Sequence, residues 1–159
     1  MEHGKIARML KLAGWLAVLG IVFVFYISTP VRIIAGSLGE GLPWMIMLGK
    51  AIAGIPYLFA LKVYFEICTR IGENRSFCRE NVTGMAKIAR LMAIAGLVWI
   101  AAMVGHVSGM LAADFEPLVI LSMDILAMLA SFAVAMVAKM MEYLLGRAAG
   151  LQEESDLTI

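Results

Sequence analysis

Three of the ionisable side chains within the apolar runs of this 159-residue chain lie at comparable depth: Lys50, His106 and Asp124. A charge at membrane depth is costly, so it either pairs with another group or marks a site for a proton, ion or ligand. Counted along helices from the outer ends of their runs, all three lie about 8–10 Å deep. The pattern predicts an ion pair between Lys50 and Asp124 with His106 nearby. The pair either sets helix register or forms a proton or ligand site.

The same side chains argue against catalysis. Ser108, His106 and Asp124 are the residue types of a hydrolase, but Ser108 and His106 are two apart and face different directions on a helix. The sequence has no G-x-S-x-G turn, H-E-x-x-H motif, phosphate loop or dinucleotide fingerprint. Cys68 and Cys78 are too few for a zinc site. We therefore expect no enzymatic activity, no metal and no cofactor.

Composition defines the environment in which these side chains are positioned. Hydrophobic residues make up 62% of the chain and charged residues 16%, with a mean hydropathy of +0.91. Soluble domains have about 45–50% and about 25%. A soluble fold of this size cannot bury so much apolar surface, which excludes a water-soluble enzyme, and the same numbers exclude disorder. The net charge of +1 argues against direct nucleic-acid binding.

Four apolar runs predict four membrane-spanning helices, because each run holds the roughly 20 residues that cross a bilayer. The predicted spans are about 12–34, 44–71, 76–113 and 117–147, followed by a tail at 151–159. Backbone groups in lipid must be satisfied internally, which favours helices, and the alternation of barrel strands is absent from the sequence. We predict an all-α integral membrane four-helix bundle that forms a single domain.

Basic residues predict the orientation of the bundle. They precede helix 1, surround the connection between helices 2 and 3 and close helix 4, whereas the opposite side carries only Arg32. Both termini should therefore lie in the cytoplasm, with the protein in a bacterial cytoplasmic membrane. A helix over 76–113 would be roughly 55 Å long, against a hydrocarbon core of roughly 30 Å. The helix 2–3 hairpin should therefore protrude into the cytoplasm.

Small residues recur at every fourth position of the third predicted helix: Ala101, Gly105, Gly109 and Ala113. Such a row lets two helix backbones approach closely. We expect it to pack helix 3 against helix 4, since a very short connection joins them. The G-x-x-x-G pattern within the row leaves homo-oligomerisation open as an alternative.

Two segments outside the spans are distinctive. One runs over 73–82 and contains Phe-x-x-Glu-Asn-Val, and the other is the ending Asp-Leu-Thr-Ile. With the helix count, they resemble a family of small bacterial four-helix membrane proteins of unknown function. Cys78 stands where the family leads us to expect a small polar residue. Members of such families often look like genomic neighbours of a helix-turn-helix regulator, so the resemblance implies a membrane component of a regulatory pair, with no activity and no catalytic residues.

These observations favour a non-enzymatic regulator or sensor that contacts the lipid bilayer and binds a cytoplasmic partner, such as a helix-turn-helix transcription regulator. The contact is assigned to the 73–90 segment and the tail. Its predicted residues are Glu73, Asn74, Phe77, Arg79, Glu80, Asn81, Asp156, Leu157, Thr158 and Ile159. Phe77 and Asn81, four residues apart, would share one helix face.

Several alternatives stay open at this point. The polar cluster of Lys50, His106 and Asp124 would suit a small transporter or a self-protection protein, and a purely structural subunit is a third possibility. The 77–90 segment is also typical of a helix at the lipid headgroups. The tail is either a frayed terminus, a recognition peptide, or a segment that folds back on the basic hairpin.

Overall fold

The computed structural model describes residues 2–23, 43–113 and 118–156. They form four helices, and the described residues contain no strand. The helices are α1 (Glu2–Val22), α2 (Pro43–Gly72), α3 (Arg79–Ala113) and α4 (Leu118–Asp156). The predicted all-α four-helix class is confirmed. Residues 24–34 of the first predicted span lie outside the described part of the chain.

Three of the helices are long and apolar enough to cross a membrane. The spanning segments are Leu48–Gly72 in α2, Arg79–Ser108 in α3 and Leu121–Gln152 in α4. Their outward faces carry large exposed apolar side chains such as Leu97 and Met136. Apolar side chains face outward in a bundle whose solvent is lipid, so the protein is a membrane protein.

The helices pack in chain order, with α1 on α2, α2 on α3 and α3 on α4. The contact between α3 and α4 is the most extensive. The six residues between α2 and α3 are too few for a crossover, so these two helices are antiparallel neighbours. α1 is attached to α2 by a hydrogen bond from the Tyr64 hydroxyl to the Leu10 carbonyl oxygen (2.9 Å) and by Trp15 against Phe65, with ring centroids 5.4 Å apart.

The core between α2, α3 and α4 follows a seven-residue spacing. Seven residues are close to two helical turns, so residues at this spacing lie on one face of a helix. The stacked positions are Tyr57, Tyr64 and Ile71 on α2, Met85, Met92 and Trp99 on α3, and Ser131 and Ala138 on α4. Met92 and Ala138 are buried in the central apolar cluster, and the half-buried Tyr57 and Tyr64 pack against it.

Small residues allow α3 and α4 to approach, and the close approach seen among the described residues lies at Gly96 rather than at Gly105 of the predicted row. A Cβ built on Gly96 would lie 2.7 Å from the Phe132 ring, so only glycine fits there without a shift. A Cβ on Gly105 would meet no atom within 4 Å. The predicted packing of helix 3 on helix 4 is confirmed, and Gly96 rather than Gly105 provides the close approach. The side chains of residues 109–113 lie outside the described part.

Two helix ends differ from the sequence prediction. α3 begins at Arg79 and not at residue 76, because the preceding residues form a closed loop described below. α4 continues through Gly150 to Asp156, although glycine costs about 1 kcal/mol relative to alanine inside a helix. Before this glycine α4 lies against α3, since a Cβ on Gly146 would lie 3.7 Å from Val82, and Ala149 is buried.

Candidate functional site

A hydrogen bond between His106 and Asp124 joins α3 to α4 inside the bundle. The distance from His106 Nδ1 to Asp124 Oδ2 is 2.6 Å, and the two side chains are only 3% and 1% exposed. An ionised carboxylate can only accept, so His106 Nδ1 donates this hydrogen bond to Asp124 Oδ2. We call these two residues the histidine pair.

Each side chain of the histidine pair has a second polar atom that takes no part in the hydrogen bond between them. His106 Nε2 and Asp124 Oδ1 are buried and have no hydrogen-bond partner among the described residues. α2 covers the open side of the imidazole, since a Cβ built on Gly49 would lie 3.6 Å from Nε2. The next residue is the half-buried Lys50, so the backbone of α2 brings all three predicted residues into one region. The ion pair between Lys50 and Asp124 stays a prediction.

A second polar group lies two helical turns further into the bundle. The Trp99 indole N–H donates to the Tyr57 hydroxyl oxygen (3.1 Å), and the Ser131 hydroxyl donates to the Ala127 carbonyl oxygen (2.6 Å). The Tyr57 hydroxyl is therefore left to donate to Ser131 Oγ, with which it is in hydrogen-bond contact. This tyrosine chain (Trp99, Tyr57 and Ser131) connects α3, α2 and α4.

Sequence reasoning missed the tyrosine chain, although a signal for it exists. Tyr57, Trp99 and Ser131 each lie seven residues from a member of the predicted polar cluster, in the direction of the bundle centre. Tyrosine, tryptophan and serine are ordinary in membrane helices, so none stands out alone. The shared spacing on three helices is the feature that marks them.

The connection between α2 and α3 is a closed loop over 73–78. Its centre is Asn81, whose Nδ2 donates to the carbonyl oxygens of Arg75 (2.9 Å) and Ser76 (3.0 Å). Asn74 adopts a left-handed conformation with φ of 62°, which asparagine tolerates better than most residues. Arg75 also pairs with Glu80 at 3.1 Å. The bonds of Asn81 and Glu80 tie the middle of the loop, at Arg75 and Ser76, to the first turn of α3.

Asn81 departs from its predicted role. Its side chain is 1% exposed and turned into the loop, so it is not available on a surface shared with Phe77. The buried amide instead holds the loop backbone. The expectation of an accessible Asn81 is wrong, because the carbonyl groups of the loop need a donor and the Asn81 side chain supplies it.

The other predicted contact residues of the hairpin are exposed. Phe77 is 52% exposed at the tip, and its polar neighbours lie on the same end of the bundle. These neighbours are Glu73, Asn74, Arg79 and Glu80. Phe77 is thus a large apolar side chain on a polar loop.

The tail is mostly a continuation of α4. Asp156 ends the helix, and Leu157, Thr158 and Ile159 lie outside the described residues. α4 is antiparallel to α3, and Gly146 lies beside Val82. The ten residues after Gly146 extend roughly 15 Å beyond that contact, which brings the tail to the same end of the bundle as the hairpin loop.

Fold and composition together define a helical membrane protein with buried polar layers and a closed loop between α2 and α3. The chain belongs to the family described as "Protein of unknown function (DUF2975)", whose sequence model matches residues 34–159. The match covers α2, α3 and α4, and α1 precedes it. No curated protein and no solved structure matches the chain. The predicted resemblance to a family of unknown function is confirmed, whereas its two short motifs stay a prediction.

We expect the histidine pair to stabilise the bundle as a unit. Replacing Asp124 by leucine should lower the free energy of unfolding by about 3–5 kcal/mol, because His106 loses its partner in a low dielectric. The change Glu66→Ala is the control, since its exposed ion pair with Arg70 (3.7 Å) contributes at most about 1 kcal/mol. Thermal unfolding in detergent of Asp124→Leu, His106→Leu and the double variant measures the coupling. If the stability losses of the two single variants simply add up in the double variant, the two residues are not coupled and the prediction is wrong.

We expect the tyrosine chain to depend on one hydroxyl. Tyr57→Phe removes the acceptor of Trp99 and the donor to Ser131, which should cost about 1–3 kcal/mol of stability. Tyr143→Phe is the matched control, because Tyr143 lies exposed on α4. The melting temperatures of both variants in detergent give the comparison. Equal melting temperatures for Tyr57→Phe and Tyr143→Phe would show that the tyrosine chain does not stabilise the fold.

Proposed function

We propose that the protein is a non-enzymatic membrane regulator or sensor that binds a soluble protein through the loop between α2 and α3. The observation that carries the proposal is Phe77, an exposed aromatic side chain on an ordered polar loop. Aromatic side chains often dominate the binding energy of protein interfaces. Neither the described core clusters nor the polar layers include Phe77, so the bundle does not depend on it for packing.

The loop is organised before any partner arrives. The Asn81 amide and the left-handed Asn74 hold its backbone, and the pair between Arg75 and Glu80 closes its side. A preorganised loop loses little conformational entropy on binding, so more of the contact energy appears as affinity. The exposed charges beside Phe77 would mainly affect the association rate.

The partner we propose is a cytoplasmic helix-turn-helix transcription regulator, as the family resemblance implies. This assignment places both termini and the hairpin in the cytoplasm, in line with the bias of basic residues. The tail would contribute a second contact, since α4 ends beyond the level of the loop. Together the two segments would form one surface at the cytoplasmic end of the bundle.

We expect Phe77→Ala to abolish partner binding without unfolding the bundle. Loss of an aromatic anchor typically costs at least about 2 kcal/mol, or roughly 30-fold in affinity. Phe59→Ala is the matched control, because Phe59 is equally exposed but lies on the apolar stretch of α2. Quantitative mass spectrometry of soluble proteins that co-purify from native membranes, with transcript levels of neighbouring genes, reads out the effect.

Two results would contradict the regulator proposal. One is an identical set of co-purifying proteins and transcripts for wild type, Phe77→Ala and Phe59→Ala. The other is a lowered melting temperature for Phe77→Ala alone, which would make Phe77 a structural residue.

A second candidate function is a small transporter or self-protection protein that uses the polar cluster. The buried atoms His106 Nε2 and Asp124 Oδ1 favour this candidate, because they have no hydrogen-bond partner among the described residues and such groups are typical of proton and ion pathways. In liposomes with an internal pH dye, the wild type would then dissipate a pH gradient faster than Asp124→Asn. Glu66→Gln serves as the control for charge removal. Equal rates for all three proteins would exclude this candidate and leave the regulator proposal untouched.

A further inference from the structure

A pocket of about 430 Å³ lies between α2 and α3, apart from both polar layers and from the hairpin loop. It combines charged side chains with an apolar wall. Its lining residues are Phe59, Lys62, Val63 and Glu66 on α2, and Lys87, Arg90 and Leu91 on α3. We call it the basic pocket.

The charge of the basic pocket is not neutralised within the described part of the protein. Lys62, Lys87 and Arg90 are exposed, and none of the three forms an ion pair with a described carboxylate. The one acidic side chain of the pocket, Glu66, pairs with Arg70 outside it. Three cations therefore face a single carboxylate that is already engaged.

The depth of the basic pocket matches a membrane boundary. From Arg90 to the far end of α3 at Ala113 the helix rises roughly 35 Å, and from Lys62 back to Pro43 α2 rises roughly 29 Å. Both lengths are close to the hydrocarbon thickness of roughly 30 Å. A bilayer whose far face lies at these two helix ends would place its near headgroup level at the three cations, which stand within the apolar stretches of α2 and α3, with Phe59 about one turn deeper.

We propose that the basic pocket binds an anionic phospholipid, with its phosphate at Lys62, Lys87 and Arg90 and an acyl chain along Phe59. The guanidinium fork of Arg90 suits two phosphate oxygens, and the lysines add point charges. Basic pockets between membrane helices are a recognised setting for anionic headgroups. A soluble phosphate would meet the same cations but would gain nothing from the apolar wall. This site goes beyond the proposed partner-binding role of the loop.

The test compares lipid binding to the delipidated full chain in detergent. Phosphatidylglycerol and phosphatidylcholine with identical acyl chains are titrated, and bound lipid is counted by native mass spectrometry. The pocket variant carries Lys62→Gln, Lys87→Gln and Arg90→Gln. The matched control carries Lys5→Gln, Arg8→Gln and Lys11→Gln, which removes the same charge from α1.

We expect the wild type and the control to bind phosphatidylglycerol in preference to phosphatidylcholine. The pocket variant should bind phosphatidylglycerol roughly 100-fold more weakly, since each basic residue near an anionic surface contributes about fivefold. If the triple variant fails to fold, Arg90→Gln alone should weaken binding about fivefold. Excess inorganic phosphate should leave the bound lipid in place.

Three outcomes would overturn the assignment. Equal weakening in the pocket and control variants would indicate unspecific attraction to a charged surface. Equal binding of both lipids by the wild type would show that the pocket does not select for a headgroup with net negative charge. Full displacement of the lipid by inorganic phosphate would identify a soluble phosphate site instead.

Discussion

The hydrogen bond between His106 and Asp124 is the constraint around which the bundle is arranged. Between helices in lipid, apolar contact provides little net drive, because the acyl chains are as apolar as the side chains. Buried polar groups that must find partners therefore select one register among many. His106 pairs with Asp124 only when α3 and α4 stand at one relative height, and that height also brings Trp99, Tyr57 and Ser131 together two turns away.

The core positions that recur every seven residues form successive layers along the length of the bundle. The layers toward the end away from the hairpin loop hold the histidine pair and the tyrosine chain. The middle layers are apolar, with Met92 and Ala138 in one buried cluster. Beyond the middle lie the basic pocket and then the hairpin loop with Phe77. The polar layers, the basic pocket and the loop are thus located at three different heights of one bundle.

The predicted and observed site residues differ where a side chain has two competing uses. The four-residue spacing predicts Asn81 on a helix face shared with Phe77, but its amide bonds the carbonyl groups of Arg75 and Ser76 and its side chain is buried. The sequence predicts a helix from residue 76, but the Ser76 carbonyl is held by Asn81 and α3 starts at Arg79. Each outcome depends on a neighbour that is not visible in the local pattern.

By itself the sequence determined the membrane class and the helix count, because hydropathy and the lengths of the apolar runs depend only on the order of residues. Only the tertiary structure decided that Asp124 bonds His106, that Gly96 and not Gly105 admits Phe132, and that ordinary residues such as Tyr57 form a second polar layer. The physical reason is that partner choice depends on the relative rotation and height of two helices. Those quantities arise from all their contacts together, and no single helix encodes them.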